Sequence, residues 1–459
     1  MASVYTGAYL TISASLSASD SEGFLWERPI DDLVTTIGMF NQEGCVSDIA
    51  VQMCDSYKEG LNTRNLVSGV RSVADTEPIS LRAWTMQERF LSRRKLLFCH
   101  DQVFWECQQH TRSENGITFP TYDFRVDNLW TQRAGYQEWY RLLGDYSQCA
   151  ITYESDVLPA LSGLVQEVSQ MSPLASYCAG IWLDDISKAL AWCVRRGDMG
   201  MIAKFPWETR SYRILNWGHC KRKTEQYQAP SFSWASWRGG VYHWYAFREV
   251  ELGEDEVTYD EMYGRYKGKL WTYVHYVSHC LVPTPGADPL NGPFKDGWLR
   301  LRGCLLPVCT TTLNVESHRD SRSVRPVTFT CYLGPDKVVA CGGLDNQEYN
   351  KARHDIQALY LLPLHTDAYL QWTTNFLVLE RSDRVVNGLS ALSRVGVGST
   401  RIEYEDYDRK LLPKLAREAA LIQKFDEFEG RPRFRRLHEA EETVIEALYG
   451  HPQEDIILI

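Results

Sequence analysis

Residues 78–110 constrain the fold more than any other stretch of this chain: Pro-Ile-Ser-Leu-Arg-Ala-Trp-Thr-Met-Gln-Glu-Arg-Phe-Leu-Ser-Arg-Arg-Lys-Leu-Leu-Phe-Cys-His-Asp-Gln-Val-Phe-Trp-Glu-Cys-Gln-Gln-His. Trp84, Gln87, Glu88 and Leu91 recur at spacings of three and four, so residues 82–91 predict a short helix with these side chains on one face. Lys95-Leu96-Leu97-Phe98 and Val103-Phe104-Trp105-Glu106-Cys107 are β-formers either side of a turn at His100-Asp101, which predicts a hairpin. Two tryptophans, a Gln-Glu pair and four arginines crowd this unit. Large aromatics beside paired charges point to a buried polar cluster or a site.

The rest of the chain divides around that unit. Residues 4–14 are small, aromatic and β-branched and predict a buried strand entered from a short helix end, paired with something later in the chain or with sheet that precedes it. Residues 15–23 form a Ser-rich loop ending in Gly23. From about 125 to 200 the pattern is helical. Asp156 is placed to cap a helix through Leu158, Leu161, Leu164, Val165 and Val168, with Pro159 in its first turn. Residues 182–194 predict a second amphipathic helix with Leu183, Ile186, Leu190 and Val194 on one face. Residues 249–261 are an acidic linker. Beyond it, 270–282, 298–303, 327–333, 358–364 and 375–381 read as strands. Residues 410–448 read as a charged helical tail and 456–459 as a final strand. The organisation is thus an α/β part (1–115), a mainly helical region (116–250) and a β-rich C-terminal domain with that tail (251–459).

At 459 residues the chain is long enough for about two or three domains. A net charge of −10 without a dominant basic block argues against nucleic acid or an anionic membrane as partner. The 13 cysteines are scattered, odd in number and without a C-x-x-C pair, which points to reduced thiols in a cytoplasmic protein rather than a disulfide framework or a zinc ribbon. Neither a signal peptide nor a spanning apolar run is legible.

Glu88 is the catalytic candidate. A carboxylate beside Gln87 and Trp84, with Arg82, Arg89 and Arg93 near in sequence, suits a general base or a ribose-hydroxyl ligand. The structural alternative is a salt bridge that locks helix to hairpin. His275 and His279 stand four apart beside Cys280, but their surroundings favour a strand, where they do not share one ion, so no metal site is expected. Cys99-His100-Asp101 cannot form a nucleophile–base–orienter chain from adjacent residues. Arg93-Arg94-Lys95 reads as a solvated helix end. No phosphate loop or hydrolase elbow occurs, and no cofactor is implied.

Residues 4–12 with 19–24 resemble the middle of the fungal heterokaryon-incompatibility (HET) domain, and 82–92 with 101–107 resemble its last block. The matching positions of that block are Arg82, Trp84, Gln87, Arg89, Asp101, Gln102, Trp105 and Glu106. Residues 146–147, 158–164, 177–182 and 229–236 resemble the region that follows the domain in long HET proteins. The family's two earlier blocks, an aromatic-Ser-x-x-Trp-Gly stretch and a Trp-Ile-Asp strand, have no counterpart here. The resemblance is therefore to a HET protein lacking the first half of its HET domain, through a short form or a misplaced start. It implies a partial TIR-like HET fold for 1–115, a role in non-self recognition and programmed cell death, and a protein partner. By analogy with TIR domains, some of which cleave NAD, Glu88 is the residue to test. In this reading Trp84, Gln87, Glu88 and Trp105 fix helix to hairpin.

Overall fold

The computed structural model describes residues 2–17, 19–25, 34–41, 44–52, 77–99, 102–107, 109–114, 116, 118–120, 136–171, 176–194, 222–223, 226–243, 270–313, 327–333, 336–344, 359–367, 373–400 and 447–459. Two compact units divide it, Met1–Glu138 with Gln148–Pro173, and Trp139–Ser147 with Leu174–Ile459. Strands far outweigh helices in the described residues.

In the first unit, α1 (Ala2–Gly7) leads to β1 (Thr11–Ser13), and β2 (Val34–Asn41) pairs antiparallel with β3 (Gly44–Gln52). The predicted helix appears as α2 (Ala83–Leu91), with Ala83, Gln87 and Leu91 buried. The predicted hairpin appears as β4 (Arg94–Phe98) and β5 (Val103–Cys107), in antiparallel register from Arg94↔Cys107 to Phe98↔Val103. With β6 (His110–Ser113) and β7 (Thr118–Pro120) they form a sheet of order β1-β4-β5-β6-β7. The strand expected over 4–14 is corrected. Its first half is helical, its strand part is three residues long, and Tyr9 and Ile12 are 83% and 58% exposed. The physical reason is position: among the described residues β1 lies at the sheet edge, parallel to β4, with a neighbour on one side.

Most of α3 (Gln137–Tyr146) belongs to the second unit. The helix expected after Asp156 begins later, as α4 (Ser162–Met171), preceded by 3-10 turns at Glu154–Asp156 and Pro159–Leu161. Gly163 allows α4 to press on α2: a Cβ there would lie 2.8 Å from Gln87 Oε1 and 2.9 Å from both Leu91 and Ala2.

The second unit begins with short elements. β8 (Tyr177–Cys178) and β9 (Ile181–Trp182) make a tight hairpin whose two turn residues, Ala179 (φ 46°) and Gly180 (φ 92°), are both left-handed, as such a turn requires. Trp234 Nε1 donates to the Gly180 carbonyl at 3.0 Å, and a Cβ on Gly180 would come within 2.5 Å of that nitrogen. The helix expected over 182–194 is corrected to a 3-10 turn, one turn of α5 (Ile186–Ala189), and β10 (Trp192–Val194). Trp182, Leu183, Ile186, Ala189, Leu190, Ala191, Trp192 and Cys193 are all buried, so periodicity did not govern them. β11 (Arg222–Lys223) pairs with β12 (Trp237–Arg238), and β10 with β13 (Val241–His243). In its described residues, the region expected to be mainly helical is thus a mixture of short helices and strands.

The β-rich part holds β14 (Leu270–Thr272), β15 (His275–Asp288), β16 (Gly292–Gly303), β17 (Leu306–Pro307), β18 (Thr310–Leu313), β19 (Val327–Leu333), β20 (Asp336–Leu344), β21 (Leu359–Asp367), β22 (Thr373–Val386), β23 (Leu389–Thr400) and β24 (Glu454–Leu458). The expected runs 298–303, 327–333 and 375–381 fall within these, 270–282 is divided between β14 and β15, 358–364 is a strand from Leu359, and the final strand runs from Glu454 to Leu458. The acidic linker lies outside the described residues, and so does the expected tail helix apart from residues 447 and 448, which are helical. β17 pairs with β21 and β18 with β19, although both lie on the stretch 306–313. The antiparallel pairings therefore run in a ring, from β21 through β22, β23, β20 and β19 to β18 and back through β17. A closed ring leaves no free edge. Leu306, Val308, Cys331, Leu361, Phe376 and Val378 pack in its core. The β22–β23 hairpin extends further, and its far end pairs with β24, which pairs with β16.

Buried polar side chains of β13, β21 and β23 hold the carbonyls of α5 and of the chain just after it. His365 donates to the Ser187 carbonyl (3.1 Å), His243 to Ala189 (3.2 Å) and Arg394 to Leu190 (2.9 Å) and to Trp192. These are carbonyls of a helix C-terminal turn and the chain just after it, where helix geometry supplies no internal donor and a cation is favourable. The Arg394 guanidinium also lies 3.2 Å from the centroid of the Trp192 ring. Nearby, Tyr140 donates to Asp185 at 2.6 Å, and burial pushes the Asp185 carboxyl up to about 6, against the pull of Lys188 and the Tyr140 bond.

Arg394→Met is expected to lower unfolding free energy by about 2–5 kcal/mol in urea titrations, because two buried carbonyls lose their donor. Asp185 binds a proton more tightly folded than unfolded, so its contribution is present below the unfolded pKa and is lost as pH rises through about 6. Asp185→Asn should therefore gain stability relative to the parent between pH 4 and 7, by at most roughly 3 kcal/mol. A flat difference across that range would contradict it.

Candidate functional site: the helix–hairpin block

Alternation along β4 and β5 sends Lys95 and Leu97, Phe104 and Glu106 to one face. Register sets Lys95 directly opposite Glu106 and Leu97 opposite Phe104. Lys95 Nζ meets Glu106 Oε1 at 2.9 Å and donates to the Arg89 carbonyl at 2.7 Å, while Arg89 Nε stands 3.6 Å from Glu106 Oε2. Both Lys95 and Glu106 are buried. Burial alone would raise the Glu106 carboxyl, but the Arg89 and Lys95 charges outweigh it and hold it below the usual carboxylate range. This triad joins α2 to the hairpin.

The other motif residues point elsewhere. Trp84 Nε1 donates to Asp156 at 3.2 Å. Gln87, 1% exposed, accepts the Gly163 N–H at 3.2 Å, and its Nε2 has no partner among the described residues. Glu88 accepts from the Tyr5 hydroxyl of α1. Burial raises the Glu88 carboxyl, opposed by that bond and by Arg82. Burial and the Glu88 charge push the Tyr5 phenol up to about 12. Arg82 precedes α2 in extended conformation, bridged to Ala150. Gln102 is buried at the hairpin end, where its carbonyl accepts the Cys99 N–H at 3.2 Å. Trp105 lies on the opposite face from Glu106, in a row with Ile12, Leu96 and Arg112. Asp101 and His100 lie outside the described residues.

Three sequence readings are corrected by this geometry. Helix and hairpin are not fixed by Trp84, Gln87, Glu88 and Trp105: the first two bind residues 156 and 163, the third binds Tyr5, and Trp105 faces away. Lys95 is no part of a solvated helix end; it was missed as a site residue. Its signal was available, since a lysine at an inward strand position requires an acid across the hairpin. Glu88 is not the locking salt bridge, a role that belongs to Glu106.

Elsewhere, His275 and His279 lie on β15 as the pattern implied, with His279 Nδ1 2.9 Å from the Tyr276 hydroxyl. Among the described residues no group of three or more His, Cys, Asp or Glu is placed to hold a metal, and no helix is long and apolar enough to cross a membrane. Comparison with protein families, with curated proteins and with solved structures finds no match to this chain.

Glu106→Gln leaves the buried Lys95 without its counter-charge and should lower stability by about 3–5 kcal/mol in urea titrations. Replacing both, Lys95→Met with Glu106→Leu, should recover most of that loss. A double variant as unstable as the single one would remove the ion pair from its assigned role.

Proposed function

We propose that this chain is a HET-family protein of the fungal cytoplasm, acting in non-self recognition and programmed cell death through a protein partner. One observation carries the interaction part of this reading. Among the described residues of the HET-like block, Arg89, Lys95 and Glu106 engage one another, and Trp84, Gln87 and Glu88 engage residues 156, 163 and 5. Such a block maintains the shape of a surface. The separate HET-like stretches also meet: residues 82–92 contact 158–164 through Gln87 and Gly163, and residues 177–182 contact 229–236 through Gly180 and Trp234.

A second reading has one observation in its favour. Glu88 is half-buried, its carboxyl is raised, and it is held by a phenol, as a proton-transferring or ribose-binding carboxylate would be. That reading is an enzyme on a HET/TIR-like fold, NAD-cleaving or recruited to biosynthesis.

The test is expression of the full chain in fungal hyphae, with vital-dye uptake scored after fusion with a strain carrying a different allele of the locus. Death of fusion cells is expected to depend on the chain and to be lost with Glu106→Gln. Equal survival with and without the chain would refute the proposal. Incubation of the purified chain with NAD separates the second reading: nicotinamide release that disappears in Glu88→Gln would establish it in place of the first.

A further inference from the structure

We infer that the outer edge of β1 is a docking strand for an extended, acidic segment of a protein partner, added to the sheet beside Ile12. This rests on the interaction reading above and names its surface.

β1 pairs with β4 on one side, and among the described residues no strand lies on its other side. An edge of this kind presents backbone donors and acceptors to any extended chain that reaches it. Native edges are usually blunted by charge, bulges or proline. This one is short, but Thr11, Ile12 and Ser13 hold regular register with Lys95, Leu96 and Leu97 and themselves carry neither charge, bulge nor proline. Its flanks are apolar and exposed: Tyr9 at 83% and Ile12 at 58%. Ile12 opens the cross-strand row that continues through Leu96 and Trp105, so an apolar side chain on an added strand would lengthen that row by one member.

Charge identifies the partner. Arg93 and Arg94 are both exposed where α2 passes into β4. Arg94 reaches to the start of β1, with its guanidinium 5.0 Å from the centroid of the Tyr9 ring and Nη1 3.5 Å from the Tyr9 carbonyl. Neither arginine takes a carboxylate among the described residues. With no carboxylate beside them and no strand beyond β1 among the described residues, these two guanidinium groups fit an acidic segment. A second copy of this chain would offer β1 itself, whose Thr11, Ile12 and Ser13 bring no carboxylate to meet these arginines.

The probes are fluorescein-labelled peptides Asp-Val-Thr-Val-Asp and Lys-Val-Thr-Val-Lys, titrated with the full chain and followed by anisotropy. The acidic peptide should bind at least tenfold more tightly than the basic one. Arg94→Glu should reverse that order, Ile12→Gln should weaken the acidic peptide about tenfold, and N-methylation of alternate peptide amides should abolish its binding. Ile12 and Arg94 are exposed, so unchanged thermal melts are expected for both variants. No binding by either peptide, equal binding by both, or a preference that survives Arg94→Glu overturns the inference. A concentration-dependent dimer that Ile12→Gln dissolves also overturns it, in favour of a second copy. None of these measurements reads cell death, so failure here leaves the fusion assay to stand or fall separately.

Discussion

A lysine at an inward strand position forces the arrangement of everything around it. Lys95 follows two exposed arginines, yet strand alternation turns it to the covered face of the sheet, where an unpaired ammonium group would be strongly disfavoured. Glu106 answers it directly across the hairpin, and Arg89 closes the group from the helix. The pair is a weak source of net stability, because both partners lose their hydration. Its effect is on specificity: a one-residue slip of β4 against β5 would turn one charge to the other face and leave its partner buried alone. The same logic recurs in the second unit, where Arg394 lies buried over Trp192 and holds the carbonyls that follow a single helical turn.

Local patterns were legible where one face of an element is covered and the other is not. The helix at residues 83–91, the hairpin at 94–107 and the strands beginning at 275, 327 and 359 all follow from spacing and turn residues. The segment 182–194 departs from its periodicity because Trp182, Leu183, Ile186 and every residue of the run Leu190-Ala191-Trp192-Cys193 are buried, and such a run has no period to report. β23 escaped notice for the opposite reason, since Gly396, Gly398 and Ser399 carry little β signal of their own and are held by neighbours on both sides. Within the candidate site the residue types were legible, but their partners were not. Nothing near Trp84 in sequence names Asp156, and nothing near Gln87 names Gly163.

Those long-range partners explain why widely spaced short motifs occur together in one chain. Gly163 is small because Gln87 and Leu91 occupy the space its side chain would need. Gly180 is small because its turn is left-handed and Trp234 lies against it. Each motif is the complement of another, so a change in one alters the environment of a residue far away in sequence.

The ring of strands has a consequence for how the second unit assembles. Most of its joints are hairpins between strands adjacent in the chain. β17 with β21 and β20 with β23 instead join segments separated by other strands. Entropy must be lost to bring such segments together before any contact between them is gained, so these two joints belong late in folding. Until they form, β20 and β23 each carry an edge that the finished barrel lacks. The device that removes edges from the ring therefore concentrates its vulnerability in time, in the interval between making the hairpins and closing the ring.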